Sequence, residues 1–303
     1  MGNSADSLLK EESMKTWHVI FSTCCLIVFC MVTDKAPVAF AADNAFFLAN
    51  PYWDQGNAEF QVYKAGLTRY GIRRDGEAKI IIVKELFNPD RLVKTNKSAP
   101  AIEVIKMNYI QTVPTGVYDY FQMASFFFER STGKIIKYTM SSQDGCGTTF
   151  MEYVYRNNGG HFIFHSYFDD EGDMQAELNA PEPPVFHDAL PLVLRFRLQE
   201  KMPYTLQIVQ PLIANKFTRP AIIEARITNR LISPYSIGGR QLGSIYEITV
   251  EIKDARDIFY FEPVFPYRLV KWKKANNDEL LLQSSRFFPY WQFNKPGDEQ
   301  RIK

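Results

Sequence analysis

The chain has 303 residues, 35 basic and 34 acidic side chains for a formal charge of +1, and 15% aromatic residues. So even a balance carries no electrostatic footprint for nucleic acid or for an anionic membrane surface. Cysteine usage excludes a disulfide framework: Cys24, Cys25 and Cys30 share one N-terminal run, and Cys146 stands by itself.

That N-terminal run is the first element in the chain. Lys15 precedes an apolar core over 19–32 (VIFSTCCLIVFCMV), and Ala39-Phe40-Ala41 offers small residues at the two positions a signal peptidase reads. The core is shorter than the roughly 20 residues a spanning helix requires. A cleaved leader over 1–41 is therefore expected, with Met14-Lys15 as the better start and an uncleaved anchor as the alternative. Asp6 stands where myristoylation needs Ser or Thr, and a lipoprotein reading fails because Cys30 follows Phe29 and Cys24 follows Thr23, where a small residue is needed. The leader holds Lys10, Lys15 and Lys35 against Asp6, Glu11, Glu12 and Asp34, so 32 basic and 30 acidic residues remain beyond it. The expected location is export, to a bacterial periplasm or outside the cell.

Beyond the leader the pattern is that of strands, rich in Phe and Tyr and punctuated by turns. Strands are expected over 58–70 and 78–87, joined by a turn at Arg74-Asp75-Gly76. Others follow at 102–112, 117–130, 135–143, 148–156 and 161–168, broken by Ser131-Thr132-Gly133, Asp144-Gly145 and Asn157-Asn158-Gly159-Gly160. The stretch Ala180-Pro181-Glu182-Pro183-Pro184 marks a seam, which divides the chain beyond the leader into halves over 42–180 and 181–303, or leaves one continuous domain. A helix is expected over 188–200, with Asp188 as its cap and Pro191 in the first turn. Strands resume at 204–210, 221–230, 244–253, 258–261, 267–273 and 279–284. In one of these, Tyr246, Ile248, Val250 and Ile252 alternate with Glu247, Thr249 and Glu251. The fold class is mainly β: curved antiparallel sheets, as a sandwich or open barrel, with one main helix covering a face or end.

Several short runs carry a resemblance: Tyr52-Trp53, 65–77 (AGLTRYGIRRDGE), Lys106-Met107-Asn108, Thr115-Gly116-Val117-Tyr118, Ser142-Gln143, Cys146-Gly147 and 167–173 (YFDDEGD). On these, residues from about 50 to 294 resemble a group of uncharacterised exported bacterial proteins, many of which carry the label "septum formation inhibitor Maf". The true Maf nucleotide pyrophosphatases have a Ser-x-Ser-Pro-Arg-Arg signature. Here Arg73-Arg74 is followed by Asp75-Gly76 and no such run exists. The resemblance therefore implies an exported β protein and supplies no catalytic residues.

Candidate chemistry is sparse. Cys146, between Gly145 and Gly147, is a possible thiol nucleophile with a distant histidine such as His187 as base, or a small residue in a hairpin turn. His161 and His165 have a helical ligand spacing but lie in a strand, where four residues separate the rings by about 13 Å at ~3.3 Å per residue; no metal is expected. The acidic run 169–173 lacks a Glu at the twelfth position of a calcium loop, which is Ala180. Asn96-Lys97-Ser98 is a glycosylation sequon. The continuous aromatic runs 126–128 and 287–291 suggest Phe126, Phe128, Phe288 and Trp291 as linings of an apolar cavity, or as core. No cofactor is expected. The preferred expectation is a non-enzymatic exported β protein that binds an apolar or amphipathic molecule or an envelope component. The alternatives are a thiol-dependent enzyme using Cys146 and a structural adaptor of the cell envelope.

Overall fold

The computed structural model describes residues 46–302 apart from 157, 158, 238 and 242; the leader reading over 1–41 lies outside these. Alternation of large apolar and polar residues builds β1 (Ala58–Arg69), β2 (Ile72–Asn88), β3 (Val93–Lys94), β4 (Ile102–Pro114), β5 (Asp119–Glu129) and β6 (Ile135–Gln143). β7 (Thr148–Arg156), β8 (Gly159–His165), β9 (Asp173–Leu178), β10 (Val185–Phe186), β11 (Tyr204–Val209) and β12 (Ile222–Ile232) follow. The last six are β13 (Ser236–Ile237), β14 (Arg240–Gln241), β15 (Ile245–Ile252), β16 (Ala255–Phe261), β17 (Leu269–Lys273) and β18 (Glu279–Phe288). Every second residue is buried on one common face: Tyr63 and Ala65 on β1, Ile80 and Ile82 on β2, Met107 and Tyr109 on β4, Phe126 on β5, Tyr138 on β6 and Tyr153 on β7. The period of two in the side chains produces this one-sided burial.

Among the described residues, sixteen strands form one sheet in the order β10-β11-β12-β15-β16-β17-β18-β1-β2-β4-β5-β6-β7-β8-β9, with β3 beside β2. The two halves flanking the proline-rich seam share this sheet, because β1 pairs with β18 as well as with β2. All pairings in it are antiparallel except that of β10 with β11. The order is not circular: β9 and β10 are its edges. This is the mainly β, curved, unclosed architecture expected from the sequence.

Three local expectations are corrected. The first hairpin turns at Tyr70-Gly71, both at positive φ (55° and 69°), with Arg69 opposite Ile72. Arg74-Asp75-Gly76 lies within β2 instead. A two-residue loop with both φ positive matches the strand twist, and Gly71 adopts that conformation without strain. Gly76 is small for another reason: a Cβ there would collide with the Thr112 carbonyl of β4. The acidic run 169–173 turns into β9, a strand not among those expected although Met174, Ala176 and Leu178 alternate toward the core. The helix is also shorter than 188–200. A 3₁₀ turn (His187–Ala189) precedes α-helix Leu190–Phe196, with Pro191 in its first turn. Asp188 does not cap it; its carboxylate accepts the Leu212 and Ile213 backbone N–H groups at 2.7 and 3.2 Å.

All seven residues of that helix are buried, Arg195 included. Its neighbours come from both halves of the sheet. Phe186, just before it, packs on Phe126, Tyr138, Tyr153 and Phe162 of β5 to β8. His187 meets Asp257 of β16, and Phe196 meets Phe128 of β5. The helix therefore lies along the concave face and fills it. At its far end, Arg195 donates two bonds of 2.9 Å to the Glu59 carboxylate of β1 and a third of 2.8 Å to the Pro266 carbonyl. Glu59 is tied onward to Gln61, and Gln61 to Tyr63. Breaking such a pair from one side strands a buried charge, which costs about 3–5 kcal/mol. Arg195→Ala should lower the urea-unfolding free energy by that order, and Arg195→Met with Glu59→Gln should recover most of it. A single variant as stable as the parent would show that the pair does not anchor the helix.

Candidate functional site

Because successive strands run antiparallel, alternate connections gather at one end of the sheet. The turns at Tyr70-Gly71, 115–118, 144–147, 166–172 and 274–278 share that end with the 210–221 connection between β11 and β12. The 210–221 connection is stitched across to the far hairpins. Asn215 accepts the Thr149 hydroxyl through its carbonyl at 2.8 Å, Phe217 donates its N–H to Glu171 at 3.0 Å, and the Phe217 ring lies 4.6 Å from that of Phe164. It bridges β11 and β12 to the β8–β9 side where no ladder does.

A cleft of about 370 Å³ opens here, lined by Thr68, Arg69, Tyr70, Tyr120, Asp144, Cys146, Phe168, Asn215 and Lys216. The Tyr70 hydroxyl hydrogen-bonds those of Tyr118 (3.0 Å) and Tyr120 (2.5 Å), joining two hairpins. The Arg69 guanidinium sits 4.0 Å above the Tyr120 ring, and the Lys216 ammonium 4.6 Å above that of Phe168. Two cations over aromatic faces make a surface that is apolar in body and positive in head. Tyr70 and Tyr167 are about 60% exposed, well beyond what a core ring shows. Sequence reasoning passed over these residues, since they belong to four connections far apart in the chain. The signal available was the clustering of basic and aromatic residues at strand ends, as in Thr68-Arg69-Tyr70 and Tyr167-Phe168.

The residues singled out from sequence are scattered. Cys146 is exposed on the cleft rim, in a turn where Asp144 accepts the N–H groups of Cys146 and Gly147. Gly147 lies against the Tyr167 ring, where a side chain would collide. His187 is buried inside the sheet, and no histidine lines the cleft. His161 and His165 lie in strand β8 and face different carboxylates, Glu177 at 3.4 Å and Asp173 at 3.0 Å on β9. Phe126 and Phe128 are core residues packed against Phe186 and Phe196. Phe288 packs against Phe60 and Phe293 within a separate apolar cluster, and Trp291 is 47% exposed. The four rings do not line one space. Among the described residues no group of three or more His, Cys, Asp or Glu side chains is arranged to hold a metal, and no helix is long and apolar enough to cross a membrane.

Beneath the cleft the concave face turns polar. Gln111, Gln122, Ser142 and Thr149 stand opposite one another across four strands. Gln111 donates to Gln122 at 2.5 Å and Gln122 to Ser142 at 3.1 Å, while Tyr109 links this row to the Lys274 ammonium. His187 lies between two carboxylates, with Nε2 3.0 Å from Asp257 and Nδ1 3.5 Å from Asp188. Asp257 also accepts the Trp272 indole N–H and the Ala275 backbone N–H. Burial pushes the His187 pKa down, but the adjacent Asp188 and Asp257 carboxylates outweigh it and hold the value above 6.5. Burial likewise pushes both carboxyls up, and the imidazolium outweighs it, leaving each below 3.8.

No protein-family model and no curated protein matches this chain. Among solved structures it is similar to the crystal structure of a β-barrel-like protein of domain of unknown function DUF1849 from Brucella abortus. That likeness has 9% identity and a TM-score of 0.47, and covers 77% of this chain and 98% of that one.

The His187 pairing has a pH signature. A group whose pKa rises on folding stabilises fully below its unfolded value and loses that contribution as pH climbs through the folded one. The two aspartates act in the opposite sense: their contribution is present above 3.8 and fades as pH falls through their lowered values. Urea midpoints should therefore decline as pH rises from 6.5 through the raised His187 value, and this slope should vanish in His187→Gln. Equal slopes in parent and variant would remove the assignment.

Proposed function

We propose that this chain is an exported, non-enzymatic binding protein whose open sheet end takes an amphipathic molecule, a lipid-like compound or an envelope component. The observation that carries this reading is the convergence of the exposed Tyr70, Phe168 and two cations set over aromatic rings on one cleft, while the concave interior is filled by the protein's own helix. Ligand sites are concave and largely apolar, with a few polar groups that orient the ligand. The leader expected over 1–41 from the sequence supports export.

The other clefts are less suited. The groove over β12, β15 and β16 has its arginines committed, Arg230 to Glu247 at 2.6 Å and Arg256 to Glu251 at 2.8 Å. The one beside Trp291 contains Lys84 and Lys94, paired with Asp54 and Glu85. The thiol-enzyme reading finds no support in the cleft, where Cys146 has no histidine beside it. An adaptor acting through strand addition would use β9, but that edge alternates Asp173 and Glu177 outward, the charged pattern that discourages pairing.

Native mass spectrometry of protein purified from its own host should show a co-purifying lipid-like ligand. An apolar dye should bind the purified chain and be displaced by that ligand. Tyr70→Ala should weaken dye binding by about tenfold, given ~0.5–1.5 kcal/mol per aromatic contact. A bulky maleimide on Cys146, which lines the same cleft, should also reduce dye binding. A clean apo mass without dye binding would overturn the reading.

A further inference from the structure

The cleft's cations raise a narrower question, because most arginines of this chain already have a partner. Arg130 holds Asp54 and Glu103, Arg195 holds Glu59, Arg230 holds Glu247 and Arg268 holds Glu262. Arg69 and Arg74 differ. The Nε atom of each is shielded from solvent and has no hydrogen-bond partner, and neither guanidinium is ion-paired among the described residues. A shielded guanidinium donor without an acceptor is costly in a folded chain.

The two are neighbours. Arg69 ends β1, and Arg74 stands on β2 opposite Leu67, two residues from Arg69 along β1. Arg74 has the parity of Ala78, Ile80 and Ile82, whose side chains cover the concave face, which places it on that face at the same open end, beside the residues that line the cleft. The Arg69 guanidinium lies over the Tyr120 ring, an arrangement that uses none of its N–H groups and leaves them to donate elsewhere. Lys216 is 56% exposed and only at the limit of contact with Asp170, at 4.0 Å. The one carboxylate that lines the cleft, Asp144, is committed to its own turn.

Resting on the binding reading above, we infer that the cleft recognises the anionic head of its ligand, of the phosphate or carboxylate class, through Arg69, Arg74 and Lys216. Planar guanidinium groups match such oxyanions with two parallel bonds, and an ammonium adds a point charge. The rings of Tyr70 and Phe168 then take the apolar body.

Isothermal titration of the full chain with octyl phosphate, octyl glucoside and inorganic phosphate tests this. Octyl phosphate should bind at least tenfold more tightly than octyl glucoside, and more weakly as salt rises. Arg69→Gln and Arg74→Gln should each abolish most of that preference, Arg69→Lys should keep part of it, and the surface variant Lys216→Gln should reduce it several-fold. Inorganic phosphate competing as strongly as octyl phosphate identifies a free oxyanion as the source; weaker competition identifies a lipid-like head. Equal affinity for the two octyl compounds would overturn the inference while leaving the binding reading intact. A preference that survives in both glutamine variants would do the same. Binding of inorganic phosphate without either octyl compound would uphold the anion site and overturn the amphiphile reading. No binding of any probe would overturn both.

Discussion

A sheet of sixteen strands that does not close on itself has a concave face that something must cover. Here the cover is internal: one short helix, seven residues long, laid along the hollow with every side chain buried. Helices that short have no independent stability in water, so this one is held by its surroundings. Phe186 and Phe196 supply the apolar contacts, and Arg195 and His187 pin the two ends to Glu59 and Asp257. The curvature of the sheet and the position of the helix are therefore one problem with one solution. Flattening the sheet exposes the aromatic core, and withdrawing the helix strands buried charges.

The same filling decides where the protein has room for anything else. Aromatic residues in a curved sheet suggest an interior pocket, yet Phe126, Phe128, Tyr138 and Tyr153 spend their surface on Phe186 and the helix. Rings with surface to offer are found at the end where the hairpins gather. Antiparallel connectivity brings Thr68 to Tyr70, Tyr118 to Tyr120, Asp144 to Gly147 and Tyr167 to Phe168 into one neighbourhood.

That end is also mechanically tied to the interior. Asp188, at the root of the helix, holds the 210–221 connection through two backbone N–H groups, and that connection carries Asn215 and Lys216 to the cleft. Lys274, from the neighbouring hairpin, reaches Tyr109 and the row of Gln111, Gln122 and Ser142 below. The rim therefore rests on polar contacts whose partners are buried, and these contacts lose more when broken than surface pairs do.

What the amino-acid sequence determined by itself was local and periodic. Alternation announced nearly every long strand, glycine and asparagine punctuation announced most turns, and a proline followed by leucines announced the helix, because these signals act over a few residues. Strand β9 was missed although Met174, Ala176 and Leu178 alternate toward the core, because it is short and its outward Asp173 and Glu177 continue the acidic run; the first turn was misplaced because Tyr70 at positive φ has no sequence signature. Only the tertiary structure decided that the two halves share one sheet, that Asp188 serves a distant loop instead of its helix, that Phe126 is filled over while Tyr70 is exposed, and that Arg69 and Lys216 line one cleft. Those outcomes depend on which strands become neighbours across separations as long as that from Ala58 to Phe288. Side-chain chemistry permits many such pairings, and the requirement to cover one concave face selects among them.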